Sequence, residues 1–565
     1  TLNRVLDSNP SQIFGRIAAP GQVILINPNG SYFAPSASVD VGGLIATTHE
    51  LADQDFLNGN YQFKRNGAEG KIINEGELKA KLDGYIALMA PEDKNLGVII
   101  AECGTVALAS GEHIQLDFGT GNKLQGITVT EQDFDAQIEN KHAIIAEGGL
   151  VILSARATAE LRASVIKNSG QIVASAGANT VSMEGGRIIL EGNTIEVTQG
   201  SELIATGPKG GGEILIGGDW QGGKNEERRV LKTPDAMHQA TKVTVETNTM
   251  IDASASENGD GGTVVVWSDV KNPDSVTKVQ GEILAKGGEN GGDGGQIETS
   301  GRRLLVDGVF VSTLAADGSA GDWLLDPAHI HIIDSGSVSS ITSPFEAGDA
   351  TTTIKPSAIV SALDSSNVEI TTGVGAVYNL EVNDPIQYDG SAERTLTLGA
   401  SGRVLIYADV SSINAPLNLV LASSIDRTSN FTSTGYGVGI FSTIDTNGGD
   451  IWVGGGELTG SWNGHTVGVG AAMGGITNGV GAEFSDATMS TGGGDVRILG
   501  TSNGSPGINA YHADSIINAG TGGNIELISD RMGFDFSGSK GEIQLDGSGN
   551  LTIAPLENSF ANAVT

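Results

Sequence analysis

The sequence predicts an all-β chain, a right-handed parallel β-helix (solenoid) with extruded loops and short β-hairpins. Three observations carry this. A double glycine followed by alternating β-branched residues recurs along much of the chain. Between its copies stands a second phrase, an apolar pair, a turn, then a short strand closing on a small residue. Finally, 83 glycines in 565 residues, against 14 Phe, 8 Tyr and 5 Trp, disfavour a conventional core built on large rings. Short strands with period-two alternation also suit a sandwich, but a sandwich needs partners far away in sequence. These phrases alternate locally and can stack on their own next copies.

Taken in chain order, Gly148-Gly149 leads into Leu150 to Leu153, Gly185-Gly186 into Arg187 to Leu190, and Gly211-Gly212 into Glu213 to Ile216. Gly261-Gly262 precedes Thr263 to Trp267 and Gly294-Gly295 precedes Gln296 to Thr299; the phrase returns at Gly448-Gly449, Gly493-Gly494 and Gly522-Gly523. The second phrase spans Ile72 to Ala80, Val165 to Ala174 and Val279 to Ala285. Its Asn-x-Gly, at Asn74 and Asn168, reads as a tight turn with glycine taking positive φ. Inward Ile, Val, Leu and Ala stack between coils, and outward Thr, Glu, Lys and Asn face water. At about 20 to 28 residues per coil and about 4.8 Å between strands, a rod on the order of 100 Å follows. Ala157 to Ser164 is the best helix candidate and reads equally well as strand and loop. Gln221 to Gln239, the most basic segment, breaks the repeat as an extruded loop. From Asp326 to Ile406 the glycine pairs vanish, which puts a boundary near Asp326-Pro327 and divides the chain into 1–326 and 327–565.

Composition excludes several functions. With 32 Lys+Arg against 67 Asp+Glu and a net charge of -35, the chain would repel nucleic acid, whose binders need clustered cations. Cys103 alone supports neither an intrachain disulfide nor a multi-cysteine zinc site, and reads as a small core or near-core residue. No apolar run of about 18 residues occurs, and Thr1 to Pro10 lack the basic-then-apolar pattern of a leader. A soluble chain with any signal peptide already removed is the expectation.

At the N-terminus, Asn9-Pro10-Ser11-Gln12-Ile13 is followed by Gly21 to Ile26 and then Asn27-Pro28-Asn29-Gly30. This pair resembles the asparagine-proline signatures in the secretion domain of filamentous haemagglutinin-like exoproteins of two-partner secretion systems, of the high-molecular-weight adhesin type. Ala109 to Phe118, Gly261 to Ser268, Ile297 to Gly301 and Trp323 to Pro327 resemble the same family, so the likeness is continuous over about 1–335 and more diffuse beyond. It implies export through periplasm and outer membrane by a dedicated β-barrel transporter whose periplasmic domains recognise the N-terminal module. Asn9, Pro10, Asn27, Pro28, Asn29 and Gly30 are then the secretion motif. For each residue the alternative is a plain turn or cap, since Asn-Pro sets a tight turn with or without a receptor. Replacing Asn27 and Asn29 by Ala is expected to leave the protein in the periplasm.

Two departures from the family pattern bear on this. The family's module normally carries further strands before the first signature, which makes Thr1 an internal start and the N-terminus incomplete. Position 31 is Ser where an apolar residue is usual. The chain also stops at Thr565 without a closing cap, so it reads as part of a longer polypeptide with a tendency to lateral or end-to-end self-association. In some relatives the two parts are separated by proteolysis near a stretch like Trp323-Leu324-Leu325-Asp326-Pro327, which makes that stretch a candidate processing region here.

No carboxylates form a catalytic constellation, so the sequence predicts no enzyme, no cofactor and no metal. His329 and His331 share a strand face and read as a surface pair rather than metal ligands. Asn258 to Gly261 and Asn290 to Gly295 read as plain glycine turns rather than calcium sites. Trp220, Trp267, Trp323, Trp452 and Trp462 read as stacked core or cap positions rather than sugar platforms. Asn-x-Ser/Thr occurs at Asn29, Asn430, Asn503 and Asn550; some related adhesins are modified at such sequons, while chance occurrence is the default in a chain rich in Asn, Ser and Thr.

The reading is a secreted, surface-associated β-helical adhesin for host cells, sibling cells or biofilm polysaccharide, with many weak contacts summed by multivalency. The alternatives are the delivery stalk of a contact-dependent toxin or haemolysin whose active part lies beyond residue 565, and a β-helical polysaccharide-degrading enzyme.

Overall fold

A computed structural model describes residues 1–130, 134–157, 164–177, 179–223, 237–334, 351–372, 377–426, 435–475, 479–502, 505–511, 515–534, 542–546 and 549–556. The chain is a parallel β-helix, divided into two compact units, Thr1–Asp322 and Trp323–Thr565.

In the first unit, each coil adds strands in register to the coil before. One wall runs Arg16–Ile26, Ser38–Thr47, Glu77–Met89, Thr105–Ser110, Leu150–Ala155, Arg187–Gly192, Glu213–Ile216, Thr263–Trp267 and Gln296–Ser300, every pairing parallel. Because side chains alternate, register alone builds the core column Leu44, Ile86, Val106, Val151, Ile188, Ile214, Val264 and Ile297, all fully buried. A second wall includes Gly30–Phe33, Lys71–Asn74, Glu92–Asn95, Ala136–Asn140, Ser164–Asn168 and Thr194–Val197. A third, of short strands, stacks Ile99, Ile144, Ile172, Leu203, Ile251, Ile283 and Val311. Burying one such aliphatic side chain contributes about 1.5 to 3 kcal/mol.

In the double glycines the first residue turns at Gly148, Gly448, Gly493 and Gly522, all at positive φ, whereas the second does something else. Gly149, Gly186, Gly212, Gly262 and Gly295 are absent from the positive-φ residues. A Cβ on each would run into the carbonyl oxygen of the glycine one coil earlier, respectively Gly104, Gly149, Gly186, Gly212 and Gly262. Glycine is needed there because stacked corners bring backbone against backbone.

The Asn-x-Gly phrase is corrected in the same way. Neither Gly76 nor Gly170 takes positive φ, and the asparagines point inward. Asn74, Asn95, Asn140 and Asn168 are fully buried and lie in register. Each amide donates to the next coil's side-chain oxygen: Asn74 Nδ2 to Asn95 Oδ1 at 2.8 Å, Asn95 to Asn140 at 2.8 Å and Asn140 to Asn168 at 2.7 Å. Asn168 Nδ2 ends the ladder on the Gly170 carbonyl, and Asn74 Oδ1 begins it by accepting from Gly76 N. A polar column survives in this core because every step is paired.

Excursions cover outward faces. Glu50–Leu51, Gln62–Lys64, His113–Phe118 and Leu124–Thr130 form an antiparallel sheet. Its Leu51, Phe63, Ile114, Leu116, Leu124 and Val129 pack on Ile24, Ile45, Ala87 and Ala107 of the first wall. Trp267 is fully buried beneath Gly218 and Gly222 and bonds Gln239, so it sits under a local loop rather than in a stacked core. Cys103 is half-buried at φ 51°, a turn position. Most of Ala157 to Ser164 and of Gln221 to Gln239 lies outside the described residues.

In the second unit, coils continue through the glycine-poor region. Asn367–Thr371, Arg394–Ala400, Leu417–Ser423, Ile451–Gly455, Val496–Thr501, Ile525–Ile528 and Leu551–Ala554 stack in parallel. Here an Asx side chain steadies each corner: Asn418 Oδ1 accepts from Asp450 N, Asp450 Oδ1 from Asp495 N, Asp495 Oδ1 from Asn524 N and Asn524 Oδ1 from Asn550 N. The hairpin of Gly460–Trp462 and His465–Val467 lays Val467 and Trp462 over Trp452, which is therefore buried on an outward face. His329 and His331 are buried, not a surface pair; His331 Nδ1 lies 3.6 Å from Glu381. No group of three or more His, Cys, Asp or Glu suited to a metal occurs among the described residues.

Candidate functional site

The two asparagine-proline segments, 18 residues apart, are joined by the Asn27 side chain and by the parallel pairing of Ser11–Ile13 with Ser31–Phe33 that follows them. Arg16–Ile26 ends at Asn27, and Asn27-Pro28-Asn29-Gly30 turns the chain into Gly30–Phe33. Gly30 N donates to the Asn27 carbonyl at 2.9 Å, closing a β-turn with proline at its first central position, where a fixed φ suits it. Gly30 takes φ 100° against the backbone of Lys71, so no other residue fits there without strain.

The side chain of Asn27 is fully buried. Its Nδ2 donates to the Asn9 carbonyl and to Ser11 Oγ, both at 2.9 Å, while its Oδ1 accepts from Asn29 N at 3.0 Å. Asn29 is exposed and ties its own amide to the Asp7 carbonyl at 3.0 Å. Asn9 and Pro10 are exposed, and Asn9 takes part through its backbone, with its N–H on Asp7 Oδ1 at 2.8 Å. So the six motif residues are brought together, but with Asn27 as the knot and the Asn9 backbone, just before the strand Ser11–Ile13, bonded to it.

Pro28 also lines an open cleft of about 440 Å³ with Arg4, Leu6, Ile26, Leu51 and Asn66. Leu6 is 94% exposed beside it and Phe14 is 58% exposed. Arg4 braces the rim, bonding the Leu51 carbonyl at 2.6 Å and Asp53 at 2.8 Å. The cleft residues come from separate segments with no common motif, and the sequence offered no signal for them.

Next to the cleft-lining Glu50, His49 is fully buried, with Nε2 donating to the Gly111 carbonyl at 2.7 Å. Burial pushes its pKa down from 6.5 to about 4, against the raising effect of the Gly111 bond and of Glu112. The folded state therefore binds fewer protons than the unfolded one between those values. Its stabilisation is complete above pH 6.5 and is lost as pH falls through about 4, on the order of 3 kcal/mol in all. Urea titrations at pH 7 and 4.5 should show a smaller acid loss in His49→Gln than in the wild type; equal losses would remove His49 from the acid response.

The other candidate positions lie elsewhere. Trp323, Leu324, Leu325 and Asp326 form most of the strand Asp322–Asp326, with Pro327 after it, and all five are buried. Asn430 and Asn503 lie outside the described residues; Asn550 is exposed, its Nδ2 donating to Asn524 Oδ1 at 3.1 Å. Asp260 Oδ1 accepts from Asp293 N and Asp293 Oδ1 from Ser319 N, so both glycine-rich turns spend carboxylate oxygens on the next coil.

Residues 1–132 match the family model of the TPS secretion domain. The chain is 28% identical over 268 residues to a heme/hemopexin-binding protein of Haemophilus influenzae strain Rd, covering 46% of this chain and 27% of that protein. A second Haemophilus influenzae heme/hemopexin-binding protein is 28% identical over 224 residues, 36% of this chain and 23% of that one. The chain thus spans about a quarter of the length of these curated relatives. Among solved structures, the HMW1 secretion domain from Haemophilus influenzae is similar at 27% identity and a TM-score of 0.42, covering 57% of this chain and 85% of that one.

Proposed function

Since this chain is a two-partner secretion exoprotein that carries its secretion domain over residues 1–132, a domain that implies an outer-membrane transporter as partner, we propose that its exported β-helix acts as an adhesin. The Asn27 knot carries the export half of this reading. It presents Pro28 and Asn29 beside a partly apolar cleft, a rigid shape for the transporter's periplasmic domains to read. Attachment then follows from repeated outward side chains, each contact weak and the sum strong through effective concentration. The action is mechanical rather than enzymatic, and the receptor is a host cell, a sibling cell or a polysaccharide.

A second reading is favoured by the names of the relatives: capture of haem or hemopexin at the cell surface. One experiment separates them. Cells displaying the full-length protein and a deletion strain are compared for adherence and aggregation, with haem-agarose and hemopexin pull-down of the secreted protein in parallel. Loss of adherence on deletion without haem or hemopexin retention supports the adhesin. Retention with unchanged adherence overturns it in favour of ligand capture.

A further inference from the structure

In the unit Trp323–Thr565, one outward face carries an aromatic cluster that the coil itself does not need. Leu380–Val382, Val404–Ile406, Val438–Ile440, Ala482–Ser485 and Ile508–Tyr511 stack in register. Their flanking Leu380, Val382, Val404, Ile406, Val438 and Ile440 are fully buried, which by alternation puts Glu381, Leu405, Gly439, Glu483 and Asn509 on the opposite face. Tyr407 and Phe441, the residues after two of these strands, stack with centroids 5.3 Å apart and planes at 14°. Tyr436 leans on Phe441 at 5.6 Å and 58°. Tyr407 remains 48% exposed, so the stack is open to solvent. Gly439 makes room for it, since a Cβ there would strike the Phe441 ring.

Polar groups ring the stack. Arg403 packs its guanidinium against Gly435, and its charge acts on Tyr407, Tyr436 and Glu381. Glu483 is 4% exposed and accepts from Asn509 Nδ2 at 2.8 Å. Burial pushes its pKa up to about 7, so near neutrality the carboxyl both donates and accepts.

A half-exposed stack of rings next to a dry carboxyl and a guanidinium matches the two surfaces of a sugar: an apolar C–H face and a rim of hydroxyls. A cationic ligand would meet Arg403 among the rings, and a nucleic acid would meet Glu381 and Glu483 in a chain of net charge -35.

We propose that Tyr407, Phe441 and Tyr436, with Glu483 and Arg403, form a saccharide-binding site. It deepens the attachment reading and rests on it for its biological role. The purified full chain is applied to an array of immobilised oligosaccharides, and the best glycan is titrated by calorimetry. Tyr407→Ala should weaken binding about ten-fold or more, while Tyr407→Phe keeps it within about three-fold, since the ring supplies the platform. Glu483→Gln, tested beside it, should also weaken binding; unchanged melting temperatures of the variants exclude unfolding as the cause. A blank array, or wild-type affinity in both Tyr407→Ala and Glu483→Gln, overturns the site. Adherent cells with a blank array refute the site and leave attachment standing; sugar binding lost in Tyr407→Ala, with no adherence by the wild type, refutes attachment and leaves the site.

Discussion

Replacing Asn27 by Ala is expected to stop export, with the protein retained in the periplasm in the presence of its transporter and at least a ten-fold drop in secreted material. The substitution removes the bonds from Nδ2 to the Asn9 carbonyl and Ser11 Oγ and the acceptor for Asn29 N. Each of these part-buried bonds is worth about 0.5 to 1.5 kcal/mol, and together their loss is enough to release Asn9-Pro10 from the second turn while Ser11–Ile13 stays paired with Ser31–Phe33. Asn27→Asp should fail as well, because a carboxylate keeps the acceptor but sets negative charge against the Asn9 carbonyl. Asn9→Ala is the contrast. Its side chain is exposed and only its backbone enters the knot, so export should stay within about two-fold, as for an ordinary surface substitution. Immunoblots of periplasm and medium measure all three. If Asn9→Ala blocks export as fully as Asn27→Ala while both variants melt normally, the transporter reads the exposed amide directly and the knot is secondary.

The second large effect lies in the asparagine ladder. Asn140→Val takes away the acceptor of Asn95 Nδ2 and the donor to Asn168 Oδ1. Two buried groups lose a partner, and about 2 to 4 kcal/mol of local stability should go with them. That is a large fraction of a typical domain's 5 to 15 kcal/mol. The same column continues past Asn168 with Val197, Val245 and Val279, all buried. Replacing Asn74, Asn95, Asn140 and Asn168 together by Val should therefore recover part of the loss, since the side-chain orphans go and only Gly76 N, which bonds Asn74 Oδ1, is left without that acceptor. Hydrogen exchange of the amides in Ala136–Asn140 reports both results, and is preferable to one global melting point because a stack of coils opens locally. A quadruple variant less stable than the single one would mean the ladder contributes net energy beyond satisfying itself. The ladder also bears on register. Ile and Val columns are interchangeable from coil to coil, so four asparagines whose side chains pair with one another in this one register disfavour a slip.

The coils were legible because a solenoid writes its contacts locally. Gly186 to Leu190 and Gly212 to Ile216 look alike because they do the same thing one coil apart. What misled was the identity of the constraint at particular residues. Gly170 is a glycine for want of space next to His142, not for positive φ. Asn74 and Asn168 share the composition of a turn and sit in the core. Alternation puts His329 and His331 on one face of their strand; burial of that face is a separate matter, decided by what lies over it. The same holds for Trp452, outward on its strand and dry beneath a hairpin.

By itself, then, the sequence determined the all-β class, the phrase that becomes a coil, and the family likeness of the first 132 residues, because each depends on order along the chain. Tertiary structure alone decided that Asn27 rather than Asn9 supplies the side chain that ties the two asparagine-proline segments together, that Pro28 borders a cleft with Arg4, Leu51 and Asn66, and that Tyr407 and Phe441 stack in the open. Alternation says which side of a strand a residue takes. Only the coils before and after it, and the loops that fold back over it, determine whether that side is water, core or a surface able to bind.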